Sequence, residues 1–141
     1  MARPSPKAKR LPERDYSHRS LLDKLGIKAD QTIAVIGVDD PSFLNDLRLR
    51  VPVFSSGTPH KRTNVVLFSA ESLSDLARLK SLTNTIDRNG AIWLVYPKGQ
   101  SHIREVGVIL AGRAAGLVDN KVCRFSDTHT ALRFVIPLTK R

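Results

Sequence analysis

Side chains that could take part in ligand chemistry lie in short polar segments between the apolar runs of this sequence. In Gly37-Val38-Asp39-Asp40, the glycine lets a ligand approach the backbone, and Asp39 could accept hydrogen bonds from a ribose or an amine. In Pro97-Lys98-Gly99-Gln100-Ser101-His102, Lys98 could pair with a phosphate or a carboxylate. In Thr128-His129-Thr130, two hydroxyls flank an imidazole that could hold a ligand. The predicted ligand-binding set is therefore Gly37, Asp39, Lys98, Ser101, His102 and His129.

Each of these segments also has a purely structural explanation, to which we give more weight. Asp40 stands before a proline, as a helix N-cap typically does, and this would leave Asp39 as its solvated neighbour. Ser101 could cap the next helix with His102 in its first turn, and Thr128-His129-Thr130 could satisfy the backbone of a turn. The sequence places no carboxylate beside His102 to orient it, so we assign no catalytic residue.

The loop after the first strand limits the cofactors that the chain could bind. A dinucleotide site needs several glycines, which let the backbone approach a pyrophosphate at a helix N-terminus. Here Gly37 is followed by two aspartates and a proline, and carboxylates at a helix start repel phosphate. Dinucleotide binding is therefore disfavoured, and the cofactor stays unknown. The histidines are scattered and Cys123 is the single cysteine, so we predict no metal site.

Apolar patterns indicate the strands that must position these segments. Continuous β-branched runs are typical of strands buried on both faces, as in a parallel sheet, and they occur at 31–38, 64–69 and 91–96. Alternating apolar and basic residues at 121–125 and 132–136 predict strands with one solvated face, paired antiparallel at a sheet edge. The predicted fold is α/β: a Rossmann-like three-layer sandwich whose mostly parallel sheet ends in an antiparallel strand pair. In such a sheet, ligands bind beyond the carboxyl ends of the strands, where Ser69-Ala70-Glu71 is also expected.

Helix signals separate the predicted strands. Short helices are expected at 20–26, ending at Gly26, and after Asp40. Ser72 and Asp75 form a capping-box pattern, and the helix that they start is expected to include Ile86 and to end at Asn89-Gly90. The last helix, closed by Gly116, has an apolar face of Ile103, Val106, Leu110 and Ala114. Residues 51–63 are hard to interpret; 51–54 could be a short strand, although Pro52 would confine it to an edge.

Charge and composition indicate a single domain at 17–141 after a basic leader at 1–16. The net charge is +10, and six Lys and Arg residues fall within residues 1–20. We expect the leader to be disordered and either to make weak contact with nucleic acid or another polyanion or, as we favour, to act as a solubilising tail. The single cysteine, the lack of an apolar signal segment and the lack of a membrane-spanning run predict a cytoplasmic protein without membrane contact.

Four segments resemble a known family. They are Tyr16 to Lys28, Gly90 to Lys98, Gly116 to Cys123, and Ala131 to Val135, and together they look like the small bacterial domain-of-unknown-function family numbered 3052. The resemblance covers roughly residues 16–137 and is most specific at Gly116 to Cys123. It implies the fold of class I methyltransferases without their full cofactor motif, and no established activity. The polar segment after Lys98 is shorter than is usual in the family, and His129-Thr130-Ala131 replaces its Trp-Ser-Gly.

Three functional hypotheses follow. The one we prefer is a non-catalytic Rossmann-like module that binds a small ligand or a protein partner at the carboxyl edge of the sheet. The alternative is a minimal or degenerate S-adenosylmethionine-dependent methyltransferase-like protein. A second alternative is a basic accessory protein that binds nucleic acid. Between an enzyme and a non-catalytic protein, we favour the non-catalytic role without excluding the enzyme.

Overall fold

The computed structural model describes residues 20–141, so the predicted leader at 1–16 lies outside the described residues. Six strands form one sheet in the order β2-β1-β3-β4-β6-β5. They are β1 (Ile33–Ile36), β2 (Ser55–Ser56), β3 (Thr63–Ser69), β4 (Ile86–Pro97), β5 (Val118–Arg124) and β6 (His129–Val135). Strands β1 to β4 pair in parallel, whereas β6 is antiparallel to β4 and to β5. The predicted fold class is confirmed.

Helices cover both faces of the sheet and give it two cores. The helices are α1 (Leu21–Lys24), α2 (Pro41–Arg50), α3 (Leu79–Thr83) and α4 (Glu105–Ala114), with 3₁₀ helices at Leu73–Arg78 and Leu138–Lys140. One core joins α1 and α2 to one face, and the other joins α3, α4 and the first 3₁₀ helix to the opposite face. All four residues of β1 are buried, as expected for a strand covered on both sides.

Trp93 of β4 attaches the first helix to the sheet. Its indole N–H donates a hydrogen bond of 2.9 Å to the carbonyl of Leu25, directly after α1, and its side chain is 1% exposed. Gly26 follows in the left-handed region at φ +71°, as expected for a residue that ends a helix. Asp23 of α1 also forms an ion pair of 2.8 Å with Arg50 of α2. The indole and the ion pair therefore add to the burial of Leu22 and Leu25 in holding α1 against the sheet.

The helix that begins after Ser72 is shorter than predicted. It starts with Ser72 N–H donating to Asp75 at 3.2 Å, but it ends at Thr83, and β4 already begins at Ile86. Asn89-Gly90 therefore lies inside a strand, and the prediction that it ends a helix is wrong. The physical reason is contact with β3: a Cβ on Gly90 would lie 2.9 Å from the carbonyl oxygens of both Thr63 and Asn64. Glycine is required at this position because the backbone of β3 passes close to it, and not because the chain turns here.

The apolar face predicted for α4 is also wrong in part. Val106 and Leu110 are 62% and 60% exposed, whereas Val108 and Gly112 face the core. Nearly every residue of α4 is apolar or glycine, so spacing alone does not identify the buried face. Gly112 packs against the ring of Phe134 in β6, and a Cβ at this position would lie 2.1 Å from the ring.

The remaining boundaries differ in extent or position from those predicted. Residues 51–54 are not a strand. The edge strand β2 begins directly after them and pairs with β1 through Ser55 and Ser56. The first strand is 33–36 and not 31–38, while the antiparallel pair starts earlier than predicted, at Val118 and His129. Within residues 20–141, no helix has the length and apolar character needed to cross a membrane.

Candidate ligand site

The topology creates a crevice at the carboxyl ends of β1 and β3. The chain leaves β1 toward β2 on one side and later returns to β3 on the other side, so the strand order reverses here. A cavity of about 430 Å³ lies at this point. We call it the carboxyl-edge cavity; its polar lining consists of Gly37, Asp39, Asp40, Ser69, Glu71, Ser126, Thr128 and His129.

Gly37 lets the loop after β1 pass close to the end of β3. Its φ is +74°, and a Cβ at this position would lie 3.4 Å from the carbonyl oxygen of Ser69. A side chain here would be strained by the backbone conformation and would narrow the cavity. Gly37 lines the carboxyl-edge cavity, and its role in ligand binding stays a prediction.

The two aspartates after Gly37 have different roles. The Asp40 side chain accepts a hydrogen bond of 3.1 Å from Phe43 N–H and so caps α2, as predicted. Asp39 is exposed at the cavity and makes no hydrogen bond or ion pair with any residue in the described range 20–141. Its carboxylate can therefore accept hydrogen bonds from a ligand without losing a structural contact.

His129 joins a carboxylate and a hydroxyl at the same cavity. Its Nε2 lies 2.9 Å from Glu71 Oε2, and its Nδ1 lies 2.8 Å from Thr128 Oγ1. A carboxylate on one imidazole nitrogen fixes the ring orientation, and the ring can then exchange a proton with a hydroxyl on the other nitrogen. The carboxylate that the sequence does not place beside His102 is thus found beside His129.

Glu71 is the residue of this candidate site that the sequence did not single out. It is 58 residues away from His129, so no local pattern connects the two. The available signal was the placement of Ser69-Ala70-Glu71 after a buried strand, at the edge where ligands bind. His102 also contacts this segment, because its Nε2 lies 3.0 Å from the Glu71 carbonyl oxygen.

Lys98 and Ser101 line a neighbouring depression of about 370 Å³ and not the carboxyl-edge cavity. The six predicted residues are therefore divided: Gly37, Asp39 and His129 come together, Lys98 and Ser101 lie beside them, and His102 supports the Glu71 backbone. Ser101 does not cap α4, because the residue at the N-cap position is Arg104 and α4 begins at Glu105. The expectation that His102 lies in the first turn of that helix is wrong for the same reason.

Tyr96 lies at the same depression and has a shifted pKa. Burial and then the Glu105 carboxylate, which accepts a 3.3 Å hydrogen bond from the phenol, raise the pKa of Tyr96 to about 12. Because the folded state holds the phenolic proton more tightly, this group contributes stability below about pH 10. That contribution is lost as the pH rises toward the folded-state pKa.

We expect Glu105→Gln to lower the pKa of Tyr96 but to leave it above the ordinary value, because burial remains its first cause. Spectrophotometric titration of tyrosinate measures this change. Tyr96→Phe is the control that identifies the transition, since the chain has two tyrosines. An unchanged midpoint in Glu105→Gln would show that the carboxylate does not act on the phenol.

The charge of the carboxyl-edge cavity favours one class of ligand. Asp39, Asp40 and Glu71 line it, and no Lys or Arg is among its lining residues in the described chain. Carboxylates accept hydrogen bonds from amines and hydroxyls and attract cations, whereas phosphates need donors or cations. The residues 20–141 contain no cluster of His, Cys, Asp and Glu suited to hold a metal ion.

The fold is similar to that of methyltransferases of known structure. A SAM-dependent methyltransferase from Aquifex aeolicus is 14% identical, with a TM-score of 0.59 over 83% of this chain and 88% of that chain. A TehB-like SAM-dependent methyltransferase from Corynebacterium glutamicum is 9% identical, with a TM-score of 0.55 over 83% and 85%. A methyltransferase in calicheamicin biosynthesis, in its SAH-bound form, is 15% identical, with a TM-score of 0.61 over 83% of this chain and 52% of that chain. This chain thus spans about half the length of the third protein.

No protein-family model and no curated protein matches the sequence. At identities this low, the structural similarity concerns the fold alone. The chain therefore has a Rossmann-like, methyltransferase-like fold with an acidic cavity at the carboxyl edge of its sheet.

Proposed function

We propose that the protein binds S-adenosylmethionine, or a closely related cationic adenosyl compound, in the carboxyl-edge cavity. The observation that carries this proposal is the lining of that cavity, which has three carboxylates and no Lys or Arg among the described residues. A sulfonium, an amino group and ribose hydroxyls suit such a lining, whereas a pyrophosphate does not.

The fold and the dimensions of the cavity support the same ligand. Its volume of about 430 Å³ lies within the usual range for sites that take small molecules. The structural neighbours include SAM-dependent methyltransferases, and one of them was solved with SAH bound. These comparisons favour the methyltransferase-like alternative over the non-catalytic module that the sequence alone suggested. The resemblance to family 3052 remains a prediction and is compatible with this fold.

Calorimetric titration with S-adenosylmethionine tests the binding proposal. We expect saturable binding that Asp39→Asn and Glu71→Gln each weaken by about tenfold, the equivalent of about 1.4 kcal/mol. Asp127→Asn is the matched control, because Asp127 is an exposed carboxylate that pairs with Arg124 and is not a lining residue of the cavity. Absence of heat at high micromolar protein, or equal weakening in all three variants, would contradict the proposal.

Methyl transfer is a separate question from binding. If the protein is an enzyme, His129 with Glu71 is the group placed to take a proton from an acceptor at the cavity. Incubation with radiolabelled methyl donor and a small-molecule extract of the source cells measures transfer directly. Binding without any labelled product would favour the non-catalytic alternative, and labelled product that requires Glu71 would favour the enzyme.

Nucleic-acid binding remains a prediction that concerns the basic leader, which the structure does not describe. A gel shift across a salt series tests it. We expect any such binding to weaken as salt increases and to disappear when residues 1–15 are deleted.

A further inference from the structure

A second polar cavity lies at the opposite, amino edge of the sheet. Its volume is about 240 Å³, and we call it the amino-edge cavity. Its lining includes the cations Lys24, Lys121 and Arg133, the indole of Trp93, and the polar residues Asp87 and Asn89. The proposed methyl-donor site uses none of these residues.

Strand pairing places the cations next to one another on one face. Arg133 of β6 is opposite Trp93 of β4 on one side and opposite Lys121 of β5 on the other. Residues directly opposite each other in antiparallel strands project from the same face, and like charges in such a pair destabilise the sheet. Trp93 belongs to the core under α1, so both cations lie on the face that α1 covers. Lys24, the last residue of α1, lines the same cavity from the helix that covers this face.

Two irregularities in the sheet produce this arrangement. In β5, the register shifts between Asp119 and Lys121, so Asn120 is an extra residue and Lys121 faces Arg133. In the pairing of β3 with β4, the register shifts between Thr63 and Val65. Because of that shift, residues 87–90 of β4 have no regular pairing partner in β3. Two of them, Asp87 and Asn89, line the cavity. Bulges of this kind redirect side chains and are common beside functional sites.

The lining of this cavity has one more cation than carboxylates, because Lys24, Lys121 and Arg133 stand against Asp23 and Asp87. The side chains of Lys121 and Arg133 make no hydrogen bond or ion pair with any residue in the described range 20–141. Asp23 at the cavity already pairs with Arg50 at 2.8 Å, and Asp87 accepts a hydrogen bond of 3.2 Å from Asn89 N–H.

Burial adds to the electrostatic cost of this arrangement. It lowers the pKa of Arg133, and the nearby Arg141 lowers it further. Within residues 20–141, the half-buried guanidinium of Arg133 therefore lies near another cation and has no ion-pair partner. Arrangements of this kind cost free energy unless a ligand supplies the negative charge.

We propose that the amino-edge cavity binds a phosphate group, free or as a small phosphate monoester, through Arg133 and Lys121, with Lys24 completing the charge. The flat guanidinium of Arg133 can hold two phosphate oxygens, and the ammonium groups act as point charges beside it. A dianion removes the repulsion between the opposed cations.

Trp93 makes the proposal directly measurable, because it is the single tryptophan of the chain and lines the cavity. Titration of the full chain with sodium phosphate, at an ionic strength held constant with sodium chloride, is followed by tryptophan fluorescence. We expect a saturable change with a Kd on the order of 1 mM or tighter. Arg133→Met and Lys121→Met should each weaken the apparent affinity at least about tenfold, because each removes a charge-assisted contact.

Arg124→Met is the matched control, since Arg124 is an exposed cation of the same strand that pairs with Asp127 and is absent from the cavity lining. Its tryptophan fluorescence should respond to phosphate as that of the wild-type protein does. Thermal melting gives a second readout that does not depend on fluorescence: without phosphate, Lys121→Met should raise Tm, because it removes the repulsion with Arg133. Phosphate should then raise the Tm of Arg124→Met more than that of Lys121→Met.

A fluorescence change that is equal in the three variants, or no saturable change in the original protein, would overturn the proposal. A parallel titration with glycerol 3-phosphate, a monoester without the adenosyl group that the carboxyl-edge cavity is proposed to bind, identifies the source of the phosphate. Tighter binding than that of inorganic phosphate supports a monoester ligand, and equal binding supports the free anion. The test is independent of S-adenosylmethionine, so failure of one proposal leaves the other standing.

Discussion

Gly112→Ala is expected to lower the free energy of unfolding by about 1–3 kcal/mol, although alanine is the better helix former. The added methyl group would lie 2.1 Å from a ring carbon of Phe134, which is completely buried in β6. Neither α4 nor β6 can yield easily, because both belong to the same core. Urea unfolding followed by circular dichroism measures the loss.

Gly107→Ala is the matched control in the same helix. A Cβ at Gly107 would lie 3.2 Å from the end of the Leu73 side chain, which is 52% exposed and can move. We expect this variant to be neutral or stabilised by up to about 1 kcal/mol through helix propensity. Phe134→Leu in the Gly112→Ala background should recover part of the loss, because the two sites share one space. Equal effects of the two glycine substitutions would show that Phe134 is not the obstacle.

Trp93→Ala is expected to cost about 3–5 kcal/mol, the usual range for removing a large buried aromatic side chain. The indole packs in the core beneath α1 and also binds the carbonyl of Leu25. Trp93→Phe separates the two contributions, since it keeps most of the ring but leaves that carbonyl without its donor. We expect Trp93→Phe to cost about 1–3 kcal/mol. Circular dichroism is the suitable probe, because both variants lose the tryptophan signal.

Hydrogen exchange at α1 localises the effect of Trp93→Phe. The amides of Gly26 and Ile27 bond to the carbonyls of Asp23 and Leu22, and they should exchange faster when the anchor is lost. Amides in β3 should be unaffected beyond the global change in stability. Unchanged exchange at Gly26 and Ile27 would contradict the anchoring role of the indole.

The central strands of this fold could be predicted because a strand that is buried on both faces has a continuous run of apolar residues. The runs around Val35, Val66 and Trp93 are apolar without alternation, and they became the parallel centre of the sheet. The start of β4 could not be predicted. Asn89-Gly90 is a common helix ending, and only contact with the carbonyl oxygens of β3 shows that it belongs to a strand.

The candidate site could be predicted at the level of its position but not of its partners. Gly37 and Asp39 follow a buried strand, and the topology rule places them at a ligand crevice. Glu71 follows β3 and His129 begins β6, and the two meet because a single strand, β4, lies between β3 and β6 in the sheet. The sequence does not reveal this strand order. Lys98 and Ser101 follow β4 as expected, but they line the neighbouring depression and not the carboxyl-edge cavity.

The bulge at Asn120 has a consequence for the solubility of the protein. Strand β5 is the outer strand at one end of the sheet, and such a strand offers free backbone groups to which another chain could add. The extra residue interrupts that regular row, and Lys121 places a charge beside the interruption. At the opposite end, β2 has two residues, too few to template a long ladder. Both borders of the sheet therefore discourage association between copies through their strands.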